Sequence, residues 1–377
     1  MDLSSYRAEL PIAEHFAFLN HAGISSLNQR SALALQTHME RAQTTRLDGF
    51  FEELTATAAE LKARIVSLIG AASPDEIVAM PNVATGINTV AQSLPLRAGD
   101  NVLVLDGDYP ANFYPWLNLA PKGVLTKVVP QHAGGLDLDR LVARIDGRTR
   151  AIALSTAMFA TGFRNDMAAV GAVCRERNLY FVVDAIQTLG AFPIDIETYH
   201  IDFLACGSQK WLLSTAGSGF LYCRRERMDE LQAGAYVGAS STVDAANFLD
   251  YNFTLQPTAE RFSLGTPNLM GRVALHATLG LLLEIGVEHI AERVLQVTGV
   301  LINDLQARGY RILSNLAPEH RSGIVIVEAP DPQAAYERLL AADVITSVRG
   351  AGLRVAPHFY NSDADVLRVG EVLGNRS

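Results

Sequence analysis

Lysine is nearly missing from this chain: four occur in 377 residues, Lys62, Lys122, Lys127 and Lys210, and none follows Lys210. Cysteine is as sparse. Cys174, Cys206 and Cys223 are an odd number without metal-ligand spacing, so they read as small buried hydrophobes in a reducing cytoplasm. Positive charge is in deficit, with a net charge of −9. That balance argues against nucleic acid, which needs a basic surface. The start, Met1-Asp2-Leu3-Ser4-Ser5-Tyr6, lacks the basic residues and apolar core of a signal peptide. The longest helical apolar run, around Leu279–Leu283, is far too short for a bilayer, so no membrane partner is expected.

What is present is globular. Hydrophobic residues make up 49% and charged residues 19%, outside the range of disordered chains. The length exceeds what one core holds, which predicts two domains. From about Pro74 to Cys223 short apolar runs alternate with helical patterns. The predicted strands are Ile77–Met80, Val102–Leu105, Ala151–Leu154, Tyr180–Val183 and Ile201–Ala205, apolar on both faces as doubly covered strands require. Such alternation implies a largely parallel sheet with right-handed crossovers. Phe220–Cys223 follows Lys210 too closely for an intervening helix and is expected to pair antiparallel. After Arg261 a long helical pattern, Leu269 to Arg308 with a break near Gly286, leads into short strands at Ile324–Val327, Val344–Val348 and Leu353–Ala356 and helices at Pro332–Ala341 and Asp363–Leu373. The division expected is a large α/β domain over 16–262 and a small α+β domain over 263–377 with 1–15.

Lys210 stands in Cys206-Gly207-Ser208-Gln209-Lys210-Trp211, just past an apolar strand, and Asp184 ends the strand before it. A lone lysine at a strand-to-loop junction, with an acid closing a neighbouring buried strand, suggests pyridoxal phosphate. The amine forms a Schiff base with the aldehyde, and the acid keeps the ring nitrogen protonated. A buried Asp is costly without a cation or donors, so a partner is expected; a cap on the following helix is the competing role. Gln187, three residues on, is placed to donate to the phenolic oxygen, or else is a solvated loop residue. The run Asn82-Val83-Ala84-Thr85-Gly86 opens a helix and can offer N–H groups and a hydroxyl to a phosphate, although an ordinary cap reads the same way. Tyr109 follows the strand Val102–Leu105 and can stack on the ring or pack under its loop. Lysines are usually solvated surface charges. Here all four elements fall at predicted carboxyl ends of strands, where open α/β sheets bind ligands.

These residues resemble the class V aminotransferases of fold type I, the group with cysteine desulfurases, isopenicillin N epimerase and kynureninase. Asn20-His21-Ala22-Gly23, Ala84-Thr85, Tyr109-Pro110-Ala111-Asn112, Asp184-Ala185-Ile186-Gln187 and Ser208-Gln209-Lys210 occur in the family's order. Arg261 to Asn268 is similar to the segment that reaches the neighbouring subunit's phosphate, and Arg354 to Asn361 to the segment whose arginine holds the substrate carboxylate. The resemblance implies a mainly parallel seven-stranded sheet flanked by helices, and a homodimer with shared sites. It implies that the cofactor is bound by Ala84, Thr85, Tyr109, Phe159, Asp184, Gln187, Gly207, Ser208, Gln209 and Lys210, with Gly265 and Thr266. It also implies that Asn20 and Arg354 bind the amino-acid substrate. Three departures bear on the reaction. The loop Arg349-Gly350-Ala351-Gly352-Leu353-Arg354 has no cysteine, so sulfur transfer through a protein persulfide is not expected. Gln209 stands where a histidine often precedes the lysine, and Ser263 where an acid is common. The expected function is chemistry at an amino acid's α-carbon with Lys210 and Asp184 catalytic, transamination ranked before β-elimination or epimerisation. A non-catalytic binder of the same fold is the alternative from another class, and an intact Lys210, Asp184 and Arg354 speak against it.

Overall fold

The protein is described from a computed structural model covering residues 3–376 except 234, 235, 245, 246, 248 and 250. The strands in chain order are β1 (Ala17–Phe18), β2 (Ile77–Ala79), β3 (Asn101–Leu105), β4 (Leu125–Val129), β5 (Thr149–Ser155), β6 (Tyr180–Asp184), β7 (Phe203–Gly207), β8 (Gly219–Cys223), β9 (Val325–Glu328), β10 (Val344–Ile345), β11 (Ser347–Arg349) and β12 (Gly352–Val355). Seven of them form one sheet in the order β2-β8-β7-β6-β5-β3-β4. Pairing is parallel along β7-β6-β5-β3-β4 and antiparallel on both sides of β8. Strand β8 alone is therefore reversed, as expected for Phe220–Cys223, and β2 runs in the same sense as β7. The carboxyl ends of β2, β3, β5, β6 and β7 consequently lie along one edge.

The predicted strands of the large sheet are present because Val, Ile, Leu and Phe bury both of their faces, as in β3, β7 and β8. Ile201–Ala205 is shifted to Phe203–Gly207, and Val344–Val348 instead divides into β10 and β11, which pair in different sheets. Strand β4 was not expected. It is an edge strand whose Leu125 and Val128 are exposed, so its sequence, Leu-Thr-Lys-Val-Val, carries no two-sided apolar signal. The long helical pattern after Arg261 divides at Gly286, whose φ of 85° is open to glycine at little cost; the helices Leu269–Ile285 and Val287–Ala307 meet there at 79°. Among the described residues no single helix is long and apolar enough to cross a membrane.

The second sheet, β11-β12-β9, is antiparallel, and β1 pairs parallel with β10, which sets Ala17–Phe18 beside the C-terminal part of the chain. The buried side chains divide between separate cores. Leu3, Leu10, Leu275, Leu279 and Val294 belong to the cluster on the large sheet, whereas Ala17, Leu19, Val297 and Leu301 pack with the small one. We propose two units whose change of core falls inside the Val287–Ala307 helix. The switch from helix to short strands is visible in sequence; which face of a helix meets which sheet is not.

Candidate active site

Five chain exits meet on the common edge. Asn82 caps the Val83–Ser93 helix after β2, accepting from the Thr85 N–H (2.9 Å) and the Thr85 hydroxyl (3.1 Å). Both Thr85 donors are thus engaged, and the open first-turn amides are those of Val83 and Ala84, which bond to no described group. A cavity of about 800 Å³ opens on this helix end and is lined by Ala84 and Thr85 together with Gly265 and Thr266 of the same chain. Gly265 and Thr266, expected to reach the neighbouring subunit's phosphate, thus border the same space as this chain's own Ala84 and Thr85.

Tyr109 follows β3, and its ring meets that of Phe159, which follows β5, edge-on at 5.2 Å. The Lys210 Nζ lies 5.4 Å from the Tyr109 ring centroid. The Phe159 carbonyl accepts from Arg354 Nη1 at 3.2 Å, and Arg354 Nε donates to Ser347 Oγ at 3.2 Å. Lys210, Tyr109, Phe159 and Arg354 are thereby joined contact by contact, although they stand on four separate segments. Arg354 is only 1% exposed, and its Nη2 has no partner among the described residues. Such a buried guanidinium nitrogen calls for an acceptor from outside the chain.

Asp184 is also 1% exposed. Its Oδ1 accepts from the Ile186 N–H at 2.9 Å, and Oδ2 accepts from no described group. Burial pushes its carboxyl up, Asp108 adds to the shift, and Lys210 opposes it. A cationic N–H at Oδ2 would restore the carboxylate. Burial pushes the Lys210 ammonium down, Asp184 opposes this, and Arg354 and Arg349 add to it. Burial therefore eases loss of the Lys210 proton and leaves Asp184 in need of a cation.

Gln187 is buried rather than solvated. Its Oε1 accepts from Trp211 Nε1 (3.2 Å), and its Nε2 points to the Ala22 carbonyl (3.4 Å), which leaves one N–H. The Ser208 hydroxyl lies against the carbonyls of Thr215 (2.7 Å) and Ser218 (2.9 Å) and braces the Lys210 loop. Gln209 Oε1 and Asn20 Oδ1 are buried without partners among the described residues. Gly207 ends β7 where a Cβ would meet Gln209 Oε1 at 2.6 Å.

Several contributors carry no local signal. Ser25 bonds the carbonyls of both Gln209 (2.8 Å, through N–H) and Lys210 (2.5 Å, through Oγ). His358 accepts from the Phe359 N–H at Nδ1 (2.8 Å), so its Nε2 holds the proton and donates to the Trp211 carbonyl (3.0 Å). Burial pushes this imidazole down to about 4, which keeps it neutral. His21 bridges the Ala356 carbonyl (2.7 Å) and the Tyr360 hydroxyl (2.9 Å). These contacts tie the lysine loop to the Arg354 strand. Asp108 fixes the turn before Tyr109 through Ser155 N (2.8 Å), Ser155 Oγ (2.5 Å) and Asn112 Nδ2 (3.2 Å).

All three cysteines are free and buried, and burial raises each thiol. We therefore expect no protein persulfide after incubation with cysteine, read by intact mass. A stable gain of one sulfur atom on the native protein would contradict this.

The profile described as aminotransferase class-V matches residues 18–369. The uncharacterized aminotransferase YcbU of Bacillus subtilis is 28% identical over 363 residues, 96% of this chain and 94% of that one. A probable cysteine desulfurase of Methanothermobacter thermautotrophicus is 26% identical over 399 residues, covering 99% and 98%. Among solved structures, C-DES with glycine covalently linked to its PLP cofactor superposes with a TM-score of 0.89 at 20% identity, over 98% of this chain and 99% of that one.

Proposed function

Because the chain belongs to the class-V aminotransferase family, whose members use pyridoxal phosphate, we propose that it removes the α-proton of an amino acid and transfers its amino group. The observation that carries this is the pair past the ends of adjacent parallel strands: a lysine whose ammonium burial pushes down, and a buried carboxylate with one oxygen open. The orphaned Asp184 Oδ2 and Arg354 Nη2, with the open amides at the Val83–Ser93 helix, fit the cofactor and its substrate. When bound, pyridoxal phosphate supplies an aldehyde for amines and a ring that withdraws electrons from the α-carbon.

The chain's own residues do the rest. Lys210 Nζ accepts the proton from the substrate's α-carbon, and its lowered pKa suits that task near neutral pH. Asp184 holds a proton at the pyridine nitrogen through a charge-assisted hydrogen bond. Tyr109 offers its face to the ring, and Asp108 and Ser155 keep that tyrosine in place. Arg354 orients the substrate through its α-carboxylate, its planar fork already held by Ser347 and Phe159. Replacing Arg354 with leucine should raise the amino-acid KM by about 100-fold, in line with loss of a buried charged contact. An unaltered KM would exclude this role.

A panel of amino acids, each with and without an oxo acid acceptor, tests the reaction. Conversion that requires the acceptor supports transamination. Pyruvate and sulfide from cysteine without an acceptor would show β-elimination instead, and no amino acid altering the holoenzyme's absorbance would refute the whole proposal.

We also propose a homodimer in a cytoplasmic setting. Tyr236 and Leu264 are exposed and line the cavity that holds Gly265 and Thr266, Tyr251 and Phe253 are exposed as well, and large apolar surface of this kind favours association. The free cysteines suit a reducing compartment. Sedimentation should give twice the chain mass of 40.8 kDa at micromolar concentration. A fully active monomer would overturn the dimer.

A further inference from the structure

Strands β11 and β12 form a hairpin in which Ser347 opposes Arg354 and Arg349 opposes Gly352. In an antiparallel ladder, opposed residues project from one face, and so do alternate residues of a strand. Ser347, Arg349 and Arg354 therefore share a face, and Arg354 shows which one it is by reaching the Phe159 carbonyl beside Tyr109. Across from Arg349 stands Gly352, which has no side chain to cover it. Arg349 donates one hydrogen bond, from Nη1 to the neighbouring Val348 carbonyl at 2.6 Å. Among the described residues no carboxylate lies within ion-pair distance of Arg349 or Arg354. The positive charge of Arg349 is felt at both Lys210 and Arg354, lowering each.

The site thus gathers three cationic side chains, Lys210, Arg349 and Arg354, against Asp184 and, behind it, Asp108. An α-carboxylate answers Arg354, and Lys210 is the reacting amine. One guanidinium is left over, facing the same space. We propose that the substrate or amino acceptor carries a second anionic group, as an acidic amino acid or its oxo acid does, and that Arg349 selects it. This rests on the amino-acid chemistry proposed above and deepens it. A fixed guanidinium suits a carboxylate in a bidentate fork, and it discriminates by leaving an unpaired charge when a neutral side chain takes that place. The hairpin tip is the position where a mobile thiol is absent from this sequence, and here it carries a charge that binds rather than a nucleophile.

The test uses the holoenzyme and two non-reacting probes of equal length, succinate and butyrate, titrated by calorimetry. Parent enzyme should bind succinate at least about tenfold more tightly, the effect of one charge-assisted contact. In Arg349→Gln that ratio should collapse towards one, and the aspartate-to-alanine ratio of kcat/KM should fall with it. Equal binding of the two probes by the parent, including no binding of either, overturns the inference. So does an Arg349→Gln enzyme that keeps the parent ratio. Turnover of alanine without preference for aspartate or glutamate would defeat this inference alone, whereas failure of every amino acid to perturb the cofactor spectrum would defeat the proposed chemistry.

Discussion

Lys210→Ala should lower turnover by about four orders of magnitude, the upper range for loss of a positioned acid–base group, and should also end covalent retention of the cofactor. No other side chain can stand in for it. Lys62 pairs with Glu260, Lys122 bonds Gln92 and Lys127 pairs with Asp146, all away from the Tyr109 ring that Lys210 faces. The variant should fold, because the loop is held by backbone contacts that alanine keeps: the carbonyl of residue 210 still accepts from Ser25 and Leu213. Steady-state assay over the pH range around neutrality checks the loss. Added primary amines should restore part of the activity if the amine is what is missing. Turnover within tenfold of the parent would remove Lys210 from the chemistry.

Asp184→Asn should keep the fold and the cofactor but lose about 3 kcal/mol of transition-state stabilisation, roughly a 100-fold fall in kcat. The amide is nearly isosteric and can still accept from the Ile186 N–H, so local structure has little reason to change. It cannot hold a proton on a pyridine nitrogen. The readout separates the two roles of this residue: a helix or loop brace would show as lost thermal stability, an electrostatic partner as lost kcat with an altered cofactor absorbance. Normal turnover and absorbance would assign Asp184 to structure alone.

The central sheet was legible because its strands are buried on both faces, so Val102–Leu105 or Tyr180–Val183 announce themselves without context. Strand β4 escaped because an edge strand with Thr126 and Lys127 carries no such pattern. Lys210 and Asp184 stood out because rarity and placement at strand ends marked them, and the structure sets their strands side by side. Ser208 was read by position only, and its hydroxyl turned out to be taken by two loop carbonyls, which no local pattern announces. Ser25, His21 and His358 were out of reach for a different reason. They act through partners some 150 to 340 positions away, and only the pairing of β1 with β10 and the Asn20–Ala356 bridge brings them to the lysine loop. Arg349 was visible in the loop without a cysteine, but its significance depends on register with Gly352 and Arg354, a tertiary fact.

Covalent attachment is the claim on which the rest depends. Purified holoenzyme should be reduced with borohydride, digested, and its peptides weighed. The peptide containing Lys210 should carry the added mass of reduced pyridoxal phosphate, with Lys62, Lys122 and Lys127 unmodified. Cofactor recovered on any other lysine, or on none although the protein was saturated with it, would contradict the account.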